Sequence, residues 1–258
     1  MLRAVGVLAM FACGCRIAFD DVTRDGAVTG DTVTLDVLSG HDEDGDGIID
    51  ADDRCPMTPD VTNADGDGDG VGDICDSEPT LARQTWTYFS AMNEVIPLTV
   101  NPPDAWTMNA DDYSFIDTGG QEQIRRAGMV GNIDVWIGFE VDQVNATGAQ
   151  TAIIINSQNL PYFYGEIFDG GAGARLSITR YDGATYTSLA STPLGGSFPL
   201  GRTDIYLAAR LAPASFTIGA RGQSAMASTP NYIGDALLIF AFSKHSGRVR
   251  YLAIVESQ

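Results

Sequence analysis

Residues 174–190, Ala174-Arg-Leu-Ser-Ile-Thr-Arg-Tyr181-Asp-Gly-Ala-Thr-Tyr-Thr-Ser-Leu-Ala190, read as two strands around a tight turn. Leu176 and Ile178 alternate with Ser177 and Thr179, the period of two that sends successive side chains to opposite faces of a sheet. Asp182-Gly183 supplies a residue pair that hairpin turns favour. On both sides of this hairpin, Gly and Pro punctuate short runs rich in Val, Ile, Thr, Tyr and Phe. Strands are expected at 83–89, 113–117, 133–141, 151–156, 162–168, 174–181, 185–190, 203–211, 215–220, 236–242 and 248–255. One segment, Gly119–Val130, is the place expected for a short helix or a loop crossing. Residues 80–258 are enough chain for one well-buried core. The expected fold is mainly β, an antiparallel β-sandwich.

The order of these strands resembles the concanavalin A-like lectin/glucanase jelly roll, in particular the laminin-G-like sandwiches of exported bacterial proteins. Trp106 to Asp112 precedes the long strand Ile133-Asp-Val-Trp-Ile-Gly-Phe-Glu-Val141, and Arg248-Val-Arg-Tyr-Leu-Ala-Ile-Val255 closes the domain. The resemblance implies either sugar binding or glucan hydrolysis.

Upstream, residues 42–76 read DEDGDGIIDADDRCPMTPDVTNADGDGDGVGDICD. Asp42, Asp44, Asp46, Gly47, Asp50 and Asp53 take positions 1, 3, 5, 6, 9 and 12 of a loop. Asp65, Asp67, Asp69, Gly70, Asp73 and Asp76 repeat them 23 residues later. Alternate carboxylates on a sharply turned loop can converge on one hard cation such as calcium, which takes six to eight oxygen ligands. Glycine at position 6 permits the turn. Position 7, Ile48 or Val71, would offer its backbone carbonyl and keep an apolar side chain free to pack. Position 12 is Asp, not the long bidentate Glu of an EF-hand, and the flanks lack a helical apolar period.

With Cys55-Pro56 and Gly72-Asp73-Ile74-Cys75-Asp76, the stretch resembles thrombospondin type 3 repeats, which fold around calcium. Cys55 and Cys75, 20 positions apart between the loops, are then expected to form a disulfide in an oxidising compartment. A zinc pair would need a second CxxC or nearby histidines. The repeat, 41–79, is expected to act as a calcium-loaded rigid spacer.

The start of the chain, MLRAVGVLAMFACGC, has one basic residue, an apolar run and small residues before cysteine. That is the layout of a secretory signal, too short for a membrane span. Its end resembles a bacterial lipobox, with Cys15 after Gly14 as the favoured lipidation site and Cys13 after Ala12 as the other; a plain secretory signal stays open. Residues 1–15 are read as signal and 16–40 as a linker, with a strand possible near Thr32–Leu38. The expected location is the outer membrane or cell surface, or the medium. A lipid would be the sole membrane attachment.

The net charge is −19, and residues 41–79 hold 14 acids against Arg54. Such a chain is not built to neutralise nucleic-acid phosphates. Catalysis finds little support. The glucanase motif E-x-D-x-x-E is represented by Glu140-Val-Asp142-Gln-Val-Asn145, with Asn in place of the last Glu. Retaining hydrolysis needs two carboxyl groups about 5–5.5 Å apart. Glu140 and Asp142 are read as solvent-facing, and His245 as a loop residue in the turn Lys244-His-Ser-Gly. Among the aromatic residues Trp106, Trp136, Tyr162, Phe163, Tyr164 and Tyr181, Trp136 is expected to be buried. Tyr162 and Tyr164 share a face and are the candidates to line a ligand groove. The sequence therefore points to a non-enzymatic, calcium-binding surface protein whose sandwich takes a glycan or a surface partner in adhesion or recognition. A glycoside hydrolase and a purely structural protein are the alternatives.

Overall fold

In a computed structural model, which describes residues 40–93, 99–129, 131–157, 161–228 and 236–257, fifteen strands follow the acidic segment. They are β1 (Gln84–Ser90), β2 (Thr99–Asn101), β3 (Trp106–Met108), β4 (Tyr113–Phe115), β5 (Glu122–Met129), β6 (Asn132–Val144), β7 (Ala149–Ser157) and β8 (Tyr162–Asp169). The rest are β9 (Ala174–Tyr181), β10 (Tyr186–Pro193), β11 (Gly201–Leu211), β12 (Ala214–Ala220), β13 (Gln223–Ser228), β14 (Ala236–Ser243) and β15 (His245–Ser257). The one helical turn among the described residues is a 3-10 turn at Pro103–Ala105. The first sheet runs β13-β12-β11-β6-β15-β4-β3, with β1 also paired to β15; the second runs β10-β9-β8-β7-β14-β5-β2. The pairings are antiparallel, and the two sheets form a jelly-roll sandwich.

Alternation sets the core. Ile133, Val135, Ile137, Phe139 and Val141 of β6 point inward with Leu207 of β11, Ile153 and Ile155 of β7, and Phe240 and Phe242 of β14. Each fully buried side chain of this kind stabilises the fold by about 1.5–3 kcal/mol. A register shift between Val249 and Tyr251 changes which side chains of β15 face the core. Beyond it Leu252 and Ile254 face the core, while Tyr251, Ala253 and Val255 face outward.

That outward face is covered. Cys55, Met57, Val71 and Cys75 of the acidic segment pack against Trp86, Phe89, Ala91, Tyr251, Ala253 and Val255. The Trp86 indole N–H donates to the Arg54 carbonyl at 3.2 Å. Glu43, with a side chain 1% exposed, is paired to Arg202 at 3.3 Å and Arg250 at 3.1 Å. The repeat is thus a cap on the first sheet, not a spacer standing clear of it. Cys55 and Cys75 are disulfide-bonded with Cα atoms 5.8 Å apart.

Each of the eleven expected strands is present, with ends moved by a few residues. Three expectations are corrected. Within Gly119–Val130, the described residues 119–129 are neither helix nor crossing, because Glu122–Met129 is a strand between β14 and β2. Its inward position is filled by Glu122, fully buried, whose Oε1 accepts from Thr118 N at 2.9 Å and Thr118 Oγ1 at 2.8 Å. A carboxylate there hides the apolar alternation. His245 is not in a loop: Lys244 turns the chain with φ +58°, and His245 opens β15 with its ring in the core. Trp136 is half-buried on the outer face, 6.3 Å from Trp86 and 5.1 Å from Tyr206 between ring centroids. The signal segment 1–15, Cys13, Cys15 and the linker through residue 39 lie outside the described residues.

Candidate metal loops and ligand face

The two acidic loops repeat one another at positions 1, 3 and 5. Asp42 accepts from Gly45 N at 2.8 Å and Gly47 N at 3.0 Å; Asp65 accepts from Gly68 N at 2.7 Å and Gly70 N at 3.1 Å. Gly47 and Gly70 sit at φ +96° and +98°, where a Cβ would be strained. Asp44 takes Asp46 N and Asp67 takes Asp69 N, at 3.1 and 3.3 Å. Asp46 takes Ile48 N and Asp69 takes Val71 N, at 2.8 and 3.0 Å. These contacts fold each loop so that one oxygen from each of Asp42, Asp44 and Asp46 lies within 4.8 Å of the others, as it does for Asp65, Asp67 and Asp69.

The donor set fits a hard cation. Asp44 Oδ2, Asp67 Oδ2 and Asp76 Oδ2 are buried with no hydrogen-bond partner. Leaving a charged acceptor in that condition is costly unless a cation completes it. Burial, with neighbouring aspartates adding to it, pushes the Asp44 and Asp76 carboxyls up to about 6 and also raises Asp53. Asp53 feels Asp46, Asp50 and Asp42, and Asp76 feels Asp69 and Asp67, so position 12 lies close to each triad.

Position 9 differs between the loops. Asp50 accepts from Glu43 N at 2.9 Å and contacts His41 Nδ1 at 2.7 Å, so both its oxygens are engaged in the protein. Asp73 is exposed and accepts from Gly66 N at 2.7 Å. Val71 is fully buried in the cap and Ile48 half-buried.

The outer face of the second sheet carries different chemistry. Tyr162 and Tyr164 of β8 lie together over Ala152, Ile154, Ile239 and Ala241. Tyr181 of β9 stands 6.1 Å from Tyr162, and Tyr186 of β10 stands 5.7 Å from Tyr164. Tyr181 and Tyr186 stack at 4.5 Å, and Tyr186 is 65% exposed. Burial, and then Tyr186, push the Tyr164 phenol well above its ordinary range, so it remains a neutral donor. Next along β8, Glu166 accepts from Ser177 Oγ at 2.9 Å, Thr179 Oγ1 at 2.8 Å and the Gln150 amide. Gln121, Gln123 and Arg125 continue this polar row across the sheet. Tyr186 and Glu166 were not singled out from sequence. Tyr186 had a readable signal, since Tyr181 and Tyr186 flank the Asp-Gly turn and pair across it.

Glu140 and Asp142 share the outer face of the first sheet, both held by Arg248 at 3.7 and 2.7 Å. Asn145, in the place of the third glucanase carboxylate, donates to Asp117 at 3.0 Å.

No family model matches this chain, and no curated protein matches it. Many chains of solved structure align with it. A variant of the GH43 protein BlXynB from Bacillus licheniformis aligns with TM-score 0.49 and 10% identity, over 65% of this chain and 39% of that one. The carbohydrate-binding module CBM66 from Bacillus subtilis gives TM-score 0.49 and 8% identity, over 62% and 96%. The exoplasmic/lumenal domain of VIP36, bound to calcium and Man3GlcNAc, gives 0.46 and 8%, over 61% and 81%. The chain spans under half of the GH43 protein's length.

Proposed function

We propose that this is an exported, non-enzymatic recognition protein whose calcium-loaded cap stiffens one sheet while the tyrosine face of the other sheet takes a glycan. The observation that carries the reading is the gathering of Tyr162, Tyr164, Tyr181 and Tyr186 beside the Glu166–Gln150 hydroxyl and amide network. Tyrosine rings offer flat apolar area with a polar tip, suited to the C–H face of a sugar, and carboxylate and amide groups suit its hydroxyls. The network around Glu166 brings hydroxyls and amides to that carboxylate, not the second carboxyl group a retaining glycosidase requires. Asp42, Asp44, Asp46, Asp53, Asp65, Asp67, Asp69 and Asp76 would hold calcium, which supplies charge neutralisation and no bond-making chemistry. Export, with a lipid on Cys15 or without one, is supported by the signal-like first 15 residues and suits the Cys55–Cys75 disulfide. Adhesion at the outer membrane or cell surface is the corresponding role.

A glycan-array screen of residues 16–258, in millimolar calcium and in chelator, tests the ligand. Binding is expected, and Tyr164→Ala and Tyr186→Ala should each weaken it about tenfold, the loss of one stacking contact of about 1.4 kcal/mol. An array without signal in either buffer would overturn the glycan reading in favour of a protein partner.

A further inference from the structure

We propose that the two metal loops, alike in sequence, do unequal work: calcium at the second loop is linked to the stability of the sandwich, and calcium at the first is not. The inference rests on the calcium reading above and goes beyond it to what the metal controls.

It begins with the second oxygen of the position-5 aspartate. In the first loop, Asp46 Oδ2 accepts from Asp60 N at 2.8 Å, a contact inside the repeat. In the second loop, Asp69 Oδ2 accepts from Arg83 N at 3.1 Å and Gln84 N at 2.7 Å. Asp60 and Arg83 are themselves 23 residues apart, so the N–H bonded by the second loop holds the place that Asp60 holds after the first. The bonds continue inward. The Gln84 amide, in a residue 1% exposed, donates to Ser77 at 2.9 Å and to Asp134 at 3.2 Å. Fully buried Asp134 takes both of its oxygens to Arg210 at 2.8 Å. The path thus runs from Asp69 through β1 to β6 and β11.

Position in the sheet makes this contact matter. Among the described strands, the seven-residue β1 pairs with β15 alone. The first loop also touches the sandwich, through Glu43 to Arg202 and Arg250. Those arginines sit on β11 and β15, strands of 11 and 13 residues that β6 pairs along most of their length.

Without a cation, Asp65, Asp67 and Asp69 repel one another within 4.8 Å. Asp76, nine-tenths buried with Oδ2 unpartnered, adds to the repulsion. Opening the loop relieves the repulsion and takes Asp69 away from β1. A cation removes the reason to open. Because that arrangement exists only in the folded chain, binding there adds to folding stability.

Asp44 and Asp67 hold equivalent positions, neither bonds to the sandwich, and Asn keeps an acceptor for the N–H two residues on. The test compares thermal unfolding of the full chain, Asp44→Asn and Asp67→Asn, each in saturating calcium and in chelator, beside a calcium titration. At a hundredfold excess over the Kd, calcium should raise the midpoint of the unaltered chain and of Asp44→Asn by about 5–10 °C. Asp67→Asn should lose most of that rise while its first loop still titrates. Equal losses in the two variants, a loss confined to Asp44→Asn, or calcium binding without any rise would overturn the inference and leave the calcium reading standing. No calcium binding by the unaltered chain would remove both. Amide exchange gives an answer that needs no variant. Calcium should slow exchange at Gln84, and an unchanged Gln84 rate in calcium-bound protein would overturn the proposal.

Discussion

His245 carries no charge in the folded protein at neutral pH. Its Nε2 lies 3.0 Å from the Gln150 carbonyl and 2.9 Å from Thr151 Oγ1, and its buried Nδ1 has no partner. Phe198, Phe115 and Phe242 surround the ring at 5.0, 5.4 and 6.0 Å. Burial pushes the imidazole down to about 4, the Gln150 carbonyl opposing in part. As pH falls through the ordinary histidine value near 6.5, the unfolded chain takes a proton that the folded chain refuses until about pH 4. Stability from this group is therefore full above pH 6.5 and is lost on acidification, by about 3 kcal/mol at pH 4. Denaturant titrations at pH 7 and pH 4 should show His245→Gln losing about 3 kcal/mol less between them than the unaltered chain. Equal losses would mean that the ring is solvated.

At the scale of the strand, Gly138 and Tyr251 fit closely in the first sheet. A Cβ on Gly138 would come within 2.2 Å of Tyr251 Cε1. The ring cannot swing aside freely, because the cap packs against it and its hydroxyl donates to Asp204 at 3.1 Å. Gly138→Ala should cost about 2–3 kcal/mol as an overpacked core does. Thermal unfolding would show it, and an unchanged midpoint would mean that the cap yields to the ring.

The strands legible in the sequence were those that print alternation with large side chains, as Leu176, Ile178 and Phe139 do. β13 was missed because its inward residues are Ala225 and Ala227, too small to stand out, and β5 because Glu122 fills an inward place. Of the three-residue strands, β4 was read from Tyr113 and Phe115, two aromatic rings on either side of Ser114, and β2 and β3 print no such pair. The acidic triads could be read because their geometry is local, within five residues. The tyrosine face was half-read because it is assembled from β8, β9 and β10. The cap's docking left one trace: the unbroken apolar run Tyr251–Val255, where a one-sided strand would alternate.

For the molecule as a whole, the cap is joined to the sandwich by apolar packing, ion pairs and backbone bonds, and is closed on itself by the Cys55–Cys75 link. Restricting the unfolded chain across that 20-residue separation stabilises by about 3 kcal/mol in the chain-entropy account. The double variant Cys55→Ser/Cys75→Ser, titrated with denaturant at fixed calcium, should lose about that much. An unchanged midpoint would mean that the link restrains little in the unfolded chain.

Val71, Met57 and the cystine find their apolar partners on Tyr251, Ala253 and Val255, at the far end of the chain. On the ribosome the acidic segment emerges before the closing strand and must wait for it to complete the face on which it rests. Made before β15, the cap docks only after that strand is in place, and the seam between them closes late.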